Sequence, residues 1–180
     1  MANDDQTKGS KQRLKPLAAT ERYPVRRRIR LPRIQYSQGH AFFITIDTHK
    51  RHPWFSLHPA LCKQAEALLA RLSQERGTVL YAWCIMPDHA HLLLEDGELV
   101  EYVRAFKGSL TPPARKIDPR RKLWQRSFYD HALRQEESVY RIARYIWENP
   151  VRAGLVEEPE EFSWIGSEVW PDFREFYHMA

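Results

Sequence analysis

Two imidazoles two residues apart, His89 and His91 around Ala90, sit inside HAHLLLE, an apolar run from His89 to Glu95 with the character of a strand. Along a strand that spacing points both rings to one face of the sheet. Such a pair can share one divalent cation, and it also suits two solvated or hydrogen-bonded histidines, so the metal reading requires a third ligand. The segment ESVYRIARYIWENP supplies one. Tyr145 and Asn149 are four residues apart and fall within about 40° of each other on a helix face, placing a phenol beside a carboxamide. Tyr140 lies on the opposite side of that helix and reads as packing; Tyr145 too has a packing alternative, as an aromatic in an amphipathic helix.

Together these groups compose a mechanism. A cation held by two neutral imidazoles and the Asn149 amide oxygen acts as a Lewis acid on a phosphodiester, and the Tyr145 hydroxyl attacks. Nitrogen and amide ligands with open positions suit Mg²⁺ or Mn²⁺ beside phosphate oxygens, with manganese the better match for two nitrogens. Cys62 and Cys84 are far apart in sequence, which excludes a Cys-x-x-Cys zinc site and leaves core packing as their expected role. A tyrosine with an ordinary pKa of about 10 needs the metal field or a base to attack at neutral pH. Covalent capture on tyrosine conserves the phosphodiester energy, and the chain contains no G-x-x-x-x-G-K-[ST] loop for a nucleotide.

The elements that must position these groups follow from pattern. HAFFITIDTH (His40 to His49) reads as a first strand, closed by Pro53; Leu61, Ala65, Leu68, Leu69 and Leu72 then recur at helical spacing between Pro59 and Gly77. TVLYAWCIM and HAHLLLE flank a Pro87-Asp88 turn as a strand pair. Leu99, Val103, Phe106 and Leu110 mark a second helix, expected to end at Pro112-Pro113. LWQRSFYDHAL follows as a fourth strand, and a last helix, capped by Ser138, runs to Asn149-Pro150. The order β-α-β-β-α-β-α predicts an α+β fold: a ferredoxin-like, RRM-like antiparallel sheet with an added C-terminal helix carrying the nucleophile. Helices on one face would leave the other free for a site.

In 180 residues one domain is expected, over 36–166, preceded by a flexible basic arm (1–35) and followed by a tail (167–180). The net charge of +5 is unevenly spread. The arm holds ten Lys or Arg against three acids, including Arg26, Arg27 and Arg28, whereas the rest carries eighteen basic and twenty acidic residues. Between Arg104 and Arg126 eight basic residues face one acid. Patches of this kind suit a phosphate backbone, and Arg104, Lys107, Arg115, Lys116, Arg120, Arg121 and Lys122 are the candidate contacts, with Trp124 or Trp147 able to stack on a base or to fill the core. No apolar run approaches the roughly 20 residues of a bilayer span, and MANDDQTKGSKQ has no secretory h-region, so a soluble cytoplasmic protein without a membrane partner is expected.

These segments resemble the REP-associated tyrosine transposases, relatives of the HUH (His, hydrophobic, His) single-stranded-DNA transposases of IS200-like elements. YAWCIMPDHAHLLLE is similar to the family's HUH strand pair, LWQRSFYDHAL to its Trp-Gln-x-x-Phe-x-Asp-His segment, and RYIWENPVRAGLV to its Tyr-x-x-x-Asn-Pro-Val-x-x-Gly helix end, in family order across about residues 36–166. The resemblance implies that Tyr145 is the single nucleophile, that His89, His91 and Asn149 bind the ion, and that the substrate is single-stranded DNA with a hairpin such as a REP-like palindrome. It further implies a 5′-phosphotyrosine with a free 3′-hydroxyl. Asp88 stands where relatives often carry Asn, a change that can add a hydrogen bond behind a ligand or alter metal preference. Monomer and homodimer are both compatible with the sequence.

Two rival classes remain at this level. A non-catalytic RRM-like RNA- or single-stranded-DNA-binding module would share the sheet, but no RNP-like Gly-Phe-x-Phe run is present. A metal hydrolase would need further ligands from Asp130 or His131 and would leave Tyr145 without a role.

Overall fold

A computed structural model of the chain describes residues 40–134 and 137–176. The expected arm, with Arg26, Arg27 and Arg28, lies outside the described residues. The elements are β1 (Phe42–Asp47), α1 (Trp54–Leu57), α2 (Pro59–Arg76), β2 (Val79–Met86), β3 (His89–Glu95), α3 (Leu99–Ile117), β4 (Tyr129–Ala132), α4 (Val139–Trp147), α5 (Asn149–Arg152), β5 (Ile165–Gly166) and α6 (Phe173–Phe176). The sheet order is β4-β1-β3-β2-β5, with every pairing antiparallel. The predicted α+β fold is therefore present, extended by a fifth strand of two residues that the sequence pattern did not signal.

Strand alternation sorts the side chains into two cores. Phe42, Ile44 and Ile46 of β1 and Leu92 and Leu94 of β3 meet α2 and α3 through Leu61, Ala65, Leu69, Val103, Phe106 and Leu110. Phe43, Ala82, Cys84 and Leu93 point the other way and meet Ala143, Ile146 and Trp147 of α4, with Ile165 and Phe173. In β2 a register shift between Leu80 and Ala82 moves the strand by one residue, which turns Cys84 and Met86 toward α4. The second face of the sheet, expected to be free, is thus covered over β2 and β3. The reason is α4 itself: its buried Ala143, Ile146 and Trp147 form an apolar stripe that must be covered, and the second face of the sheet covers it.

Helix boundaries follow local chemistry. Gly77 ends α2 in the left-handed conformation (φ 65°), and Ser138 caps α4, its hydroxyl accepting from the Arg141 amide at 3.3 Å. Pro112 and Pro113 do not end α3, which runs on to Ile117. The carbonyls that lose partners there belong to Gly108 and Ser109, both exposed and open to water, while the buried Leu110 and Ala114 hold the turn against the first core. The preceding carbonyl, Lys107 O, is well supplied, accepting from the Thr111 hydroxyl at 2.7 Å and the Trp124 indole at 3.0 Å.

Candidate active site

His89 and His91 leave β3 on the α4 side, and their Nε2 atoms stand 3.0 Å apart. Each ring has a second partner on Nδ1. His89 Nδ1 lies 2.6 Å from Asp88 Oδ1, and His91 Nδ1 lies 2.9 Å from Thr45 Oγ1, on the residue directly across from it in β1. Burial pushes the Asp88 carboxyl up, but the hydrogen bond and charge of His89 together with Arg51 outweigh it and hold the group below its ordinary value. Asp88 is therefore an ionised acceptor, and His89 donates to it from Nδ1. Burial, then the charges of His89, Arg152 and Arg51, hold His91 well below the usual imidazole range, so its ring is neutral. The Thr45 hydroxyl can accept from Nδ1 or donate to it, which leaves His91 free to carry its proton on either nitrogen.

The rim of the pair is built with backbone strain. Lys50 and Arg51 both take positive φ, 57° and 54°, which for residues with a Cβ costs on the order of 1–3 kcal/mol each. Arg51, so placed, reaches Asp47 at 2.8 Å and Asp88 at 3.6 Å.

Tyr145 approaches from α4. Phe43 links it to the histidines: the Phe43 ring is stacked on His91 at 5.3 Å and meets Tyr145 edge-on at 6.1 Å. The helix breaks just beyond, between α4 and α5. Pro150 lacks the N–H that would close on the Ile146 carbonyl, and Asn149 replaces it by donating from Nδ2 to the carbonyls of Ile146 at 3.1 Å and Tyr145 at 3.0 Å. Asn149 is thus a helix cap through its nitrogen, with the amide oxygen left as its only possible metal donor.

The donor set fits a divalent ion. Two imidazole nitrogens 3.0 Å apart match adjacent positions of an octahedral ion, for which metal–ligand distances of about 2.1 Å give a separation of about 3.0 Å. An Asp carboxylate behind a ligating histidine is the usual support for such a ligand. Burial raises the Cys84 thiol far above its ordinary pKa, so no thiolate competes. Among the described residues no cluster of three or more His, Cys, Asp or Glu side chains is placed to hold a metal, so the pair must be completed by an amide, water or phosphate oxygen. His131, the candidate further ligand of a hydrolase site, pairs with Glu137 at 3.1 Å.

The basic residues divide. Lys107 holds the Gln125 carbonyl at 2.7 Å, Arg104 is paired with Glu101 at 2.6 Å and Arg121 with Asp118 at 3.1 Å. Arg115, Lys116, Arg120 and Lys122 are exposed and form no ion pair among the described residues. Trp124 and Trp147 are both buried, with their indole N–H groups bonded to Lys107 O and Gly166 O, so both are core residues. Tyr140 packs on Trp147 and Trp170, as its position predicts.

Pattern reading did not find Thr45, Arg51 or Arg152. Thr45 and Arg51 depend on strand register and a strained turn. Arg152 left a trace, standing seven positions after Tyr145 on the same helical stripe.

Comparison with known proteins bears on the fold and the family. The family described as "Transposase IS200 like" matches residues 37–149, well over half of the chain. A REP-associated tyrosine transposase of Escherichia coli K12 is 22% identical over 131 residues, covering 71% of this chain and 76% of its own. A protein of Haemophilus influenzae, provisionally named a REP-associated tyrosine transposase, is 28% identical over 111 residues, covering 51% of this chain; the chain spans 63% of that protein's length. A solved structure of a REP-associated tyrosine transposase bound to a REP hairpin superposes with a TM-score of 0.62 at 21% identity, over 78% of this chain and 82% of the other, which speaks to the fold. Among the described residues no helix is long and apolar enough to cross a membrane. The resemblance read from the three motifs holds: the chain belongs to the IS200-like transposase family of enzymes, with REP-associated tyrosine transposases among its relatives.

Proposed function

We propose that the protein is a divalent-metal-dependent nickase and strand transferase for single-stranded DNA, with Tyr145 as nucleophile and His89, His91 and Asn149 as metal ligands. The observation that carries this reading is the convergence of two Nε2 atoms at 3.0 Å, each ring anchored through Nδ1 by a separate partner. A divalent ion bound there, Mg²⁺ or Mn²⁺, would supply Lewis-acid polarisation of the scissile phosphate.

The chain's own residues do the rest. Asp88 and Thr45 orient the two imidazoles, and Phe43 sets the distance between His91 and the Tyr145 ring. The Tyr145 oxygen forms a bond to phosphorus while the bond from phosphorus to the 3′ oxygen breaks. The phenolic proton leaves to solvent or the 3′ oxygen, giving a 5′-phosphotyrosine and a free 3′-hydroxyl. Attack by a second 3′-hydroxyl reverses these steps and joins strands with no net change in bonds. Arg115, Lys116, Arg120 and Lys122, exposed at the end of α3 and in the linker after it, would track phosphates, with Arg104, Lys107, Arg121 and the arm residues Arg26, Arg27 and Arg28 as further contacts. A hairpin substrate is supported by the relatives, one of which was solved on a REP hairpin.

Incubation of the protein and of Tyr145→Phe with labelled hairpin DNA and Mg²⁺ or Mn²⁺, followed by a denaturing gel, tests the reading. The expected result is an adduct in the wild type that requires metal and is absent from the variant. Cleavage that survives in Tyr145→Phe would replace the reading with a water-activating hydrolase. Binding without any adduct would replace it with a recognition module.

A further inference from the structure

Arg152, at the end of α5, has no part in the reaction as described so far. Its guanidinium carbon stands 3.8 Å from the centre of the Tyr145 ring. One terminal nitrogen donates to the Tyr145 carbonyl at 2.9 Å and the other faces the Glu148 carboxylate at 3.6 Å; Arg144 meets the same carboxylate at 3.6 Å. A planar fork held at three points is fixed in orientation as a lysine ammonium would not be. The ring is therefore gripped twice, by a cation over its face and by the edge contact with Phe43. The charge also reaches the metal pair, being one of those that keep His91 neutral.

The plain alternative is that Arg152 is a helix cap, since cations favour C-terminal carbonyls. Capping accounts for the bond to the Tyr145 carbonyl. It does not account for a guanidinium laid over the ring, because the carbonyl can be reached from solvent without covering the phenol.

We propose that Arg152 is a positioning residue that clamps the Tyr145 ring against Phe43 and so holds the phenol in its attacking rotamer. The proposal rests on Tyr145 being the nucleophile. Without the clamp the ring would sample the staggered wells open to a half-buried tyrosine, and the fraction of time spent in attacking geometry would fall.

The test uses full-length protein, Mn²⁺ and a saturating single-stranded hairpin oligonucleotide, comparing the wild type with Arg152→Met and Arg152→Lys. Single-turnover adduct formation should slow by about 10- to 100-fold in Arg152→Met, with hairpin affinity within about twofold of wild type. Arg152→Lys should recover part of the rate, and it carries the test alone if the Met variant does not fold. In ring-labelled protein, the nuclear Overhauser contact between Tyr145 and Phe43 should be present in the wild type and lost in Arg152→Met. An unchanged rate in a less stable Met variant would reduce Arg152 to a cap. A rate loss that disappears as DNA is raised, with a shallower salt dependence of binding, would make it a phosphate contact. Either result overturns the clamp while the wild-type adduct stands. No wild-type adduct, or an adduct in Tyr145→Phe, would overturn the nucleophile and the clamp together, and those two lanes separate that failure from the clamp's own.

Discussion

The two faces of one sheet are built for different ends. From β3, Leu92 and Leu94 enter a closed apolar layer with α2 and α3, whereas His89 and His91, one pleat away on the same strand, face α4 and bring their Nε2 atoms within 3.0 Å of each other. The first face gains stability from packing; the second accepts a buried neutral imidazole and a strained Lys50-Arg51 turn. The lesson is that a single strand can serve both tasks because its period of two keeps them apart.

Substitutions should separate the faces, and the largest contrast is in activity. His91→Leu should abolish metal-dependent adduct formation while changing unfolding free energy by no more than about 1 kcal/mol, since a buried polar ring is replaced by an apolar one. A chemical denaturation curve beside the adduct gel reads both. A stability loss as large as that of a core deletion would mean that His91 is structural too. Leu92→Ala should do the reverse, costing about 2–5 kcal/mol while leaving the adduct rate of the folded fraction intact.

Thr45→Val should be milder, because it removes a support and not a ligand: metal affinity by calorimetry should weaken about 10- to 100-fold, and Thr45→Ser should restore it. An affinity equal to wild type in Thr45→Val would detach Thr45 from the site.

The faces should also part in acid. The unfolded chain protonates His91 below the ordinary value of 6.5, whereas the folded protein resists, so stability should start to fall there as pH drops, and His91→Leu should lose that slope. On the other face burial raises the Asp96 carboxyl, but hydrogen bonds from Arg76, Thr78 and the Glu98 amide outweigh it and hold it below its ordinary 3.8. Its contribution is complete above that value and is lost only as pH falls through the lower folded one. Thermal melts across pH, with Asp96→Asn for comparison, check both windows.

The smallest effects belong to the surface. Arg115→Ala or Lys116→Ala should lower the salt slope of DNA binding by about 1 each, with stability unchanged.

How far the sequence reached follows the range of the interactions involved. The His89–His91 pair was legible because strand period is local, and the Ser138 cap and Gly77 stop because capping is local. The end of α3 was misread at Pro112-Pro113, where tertiary packing of Leu110 and Ala114 overrides a strong local breaker. The cover over the second face, the two-residue β5 and the bond from Thr45 to His91 all depend on which distant segments meet. Asn149 was read as a ligand from its spacing; its bonds to the Tyr145 and Ile146 carbonyls give the Asn-Pro pair a structural purpose that spacing did not signal.

Thr45 carries one more consequence. The close Nε2 pair is satisfied when His91 carries its proton there and the threonine hydroxyl donates to Nδ1; were a cation held by the pair, that proton would sit on Nδ1 and the hydroxyl would accept it. The proton is relocated and not expelled. Loading such a site would leave the proton count of His91 unchanged, in contrast to thiolate sites, whose occupancy is tied to acidity.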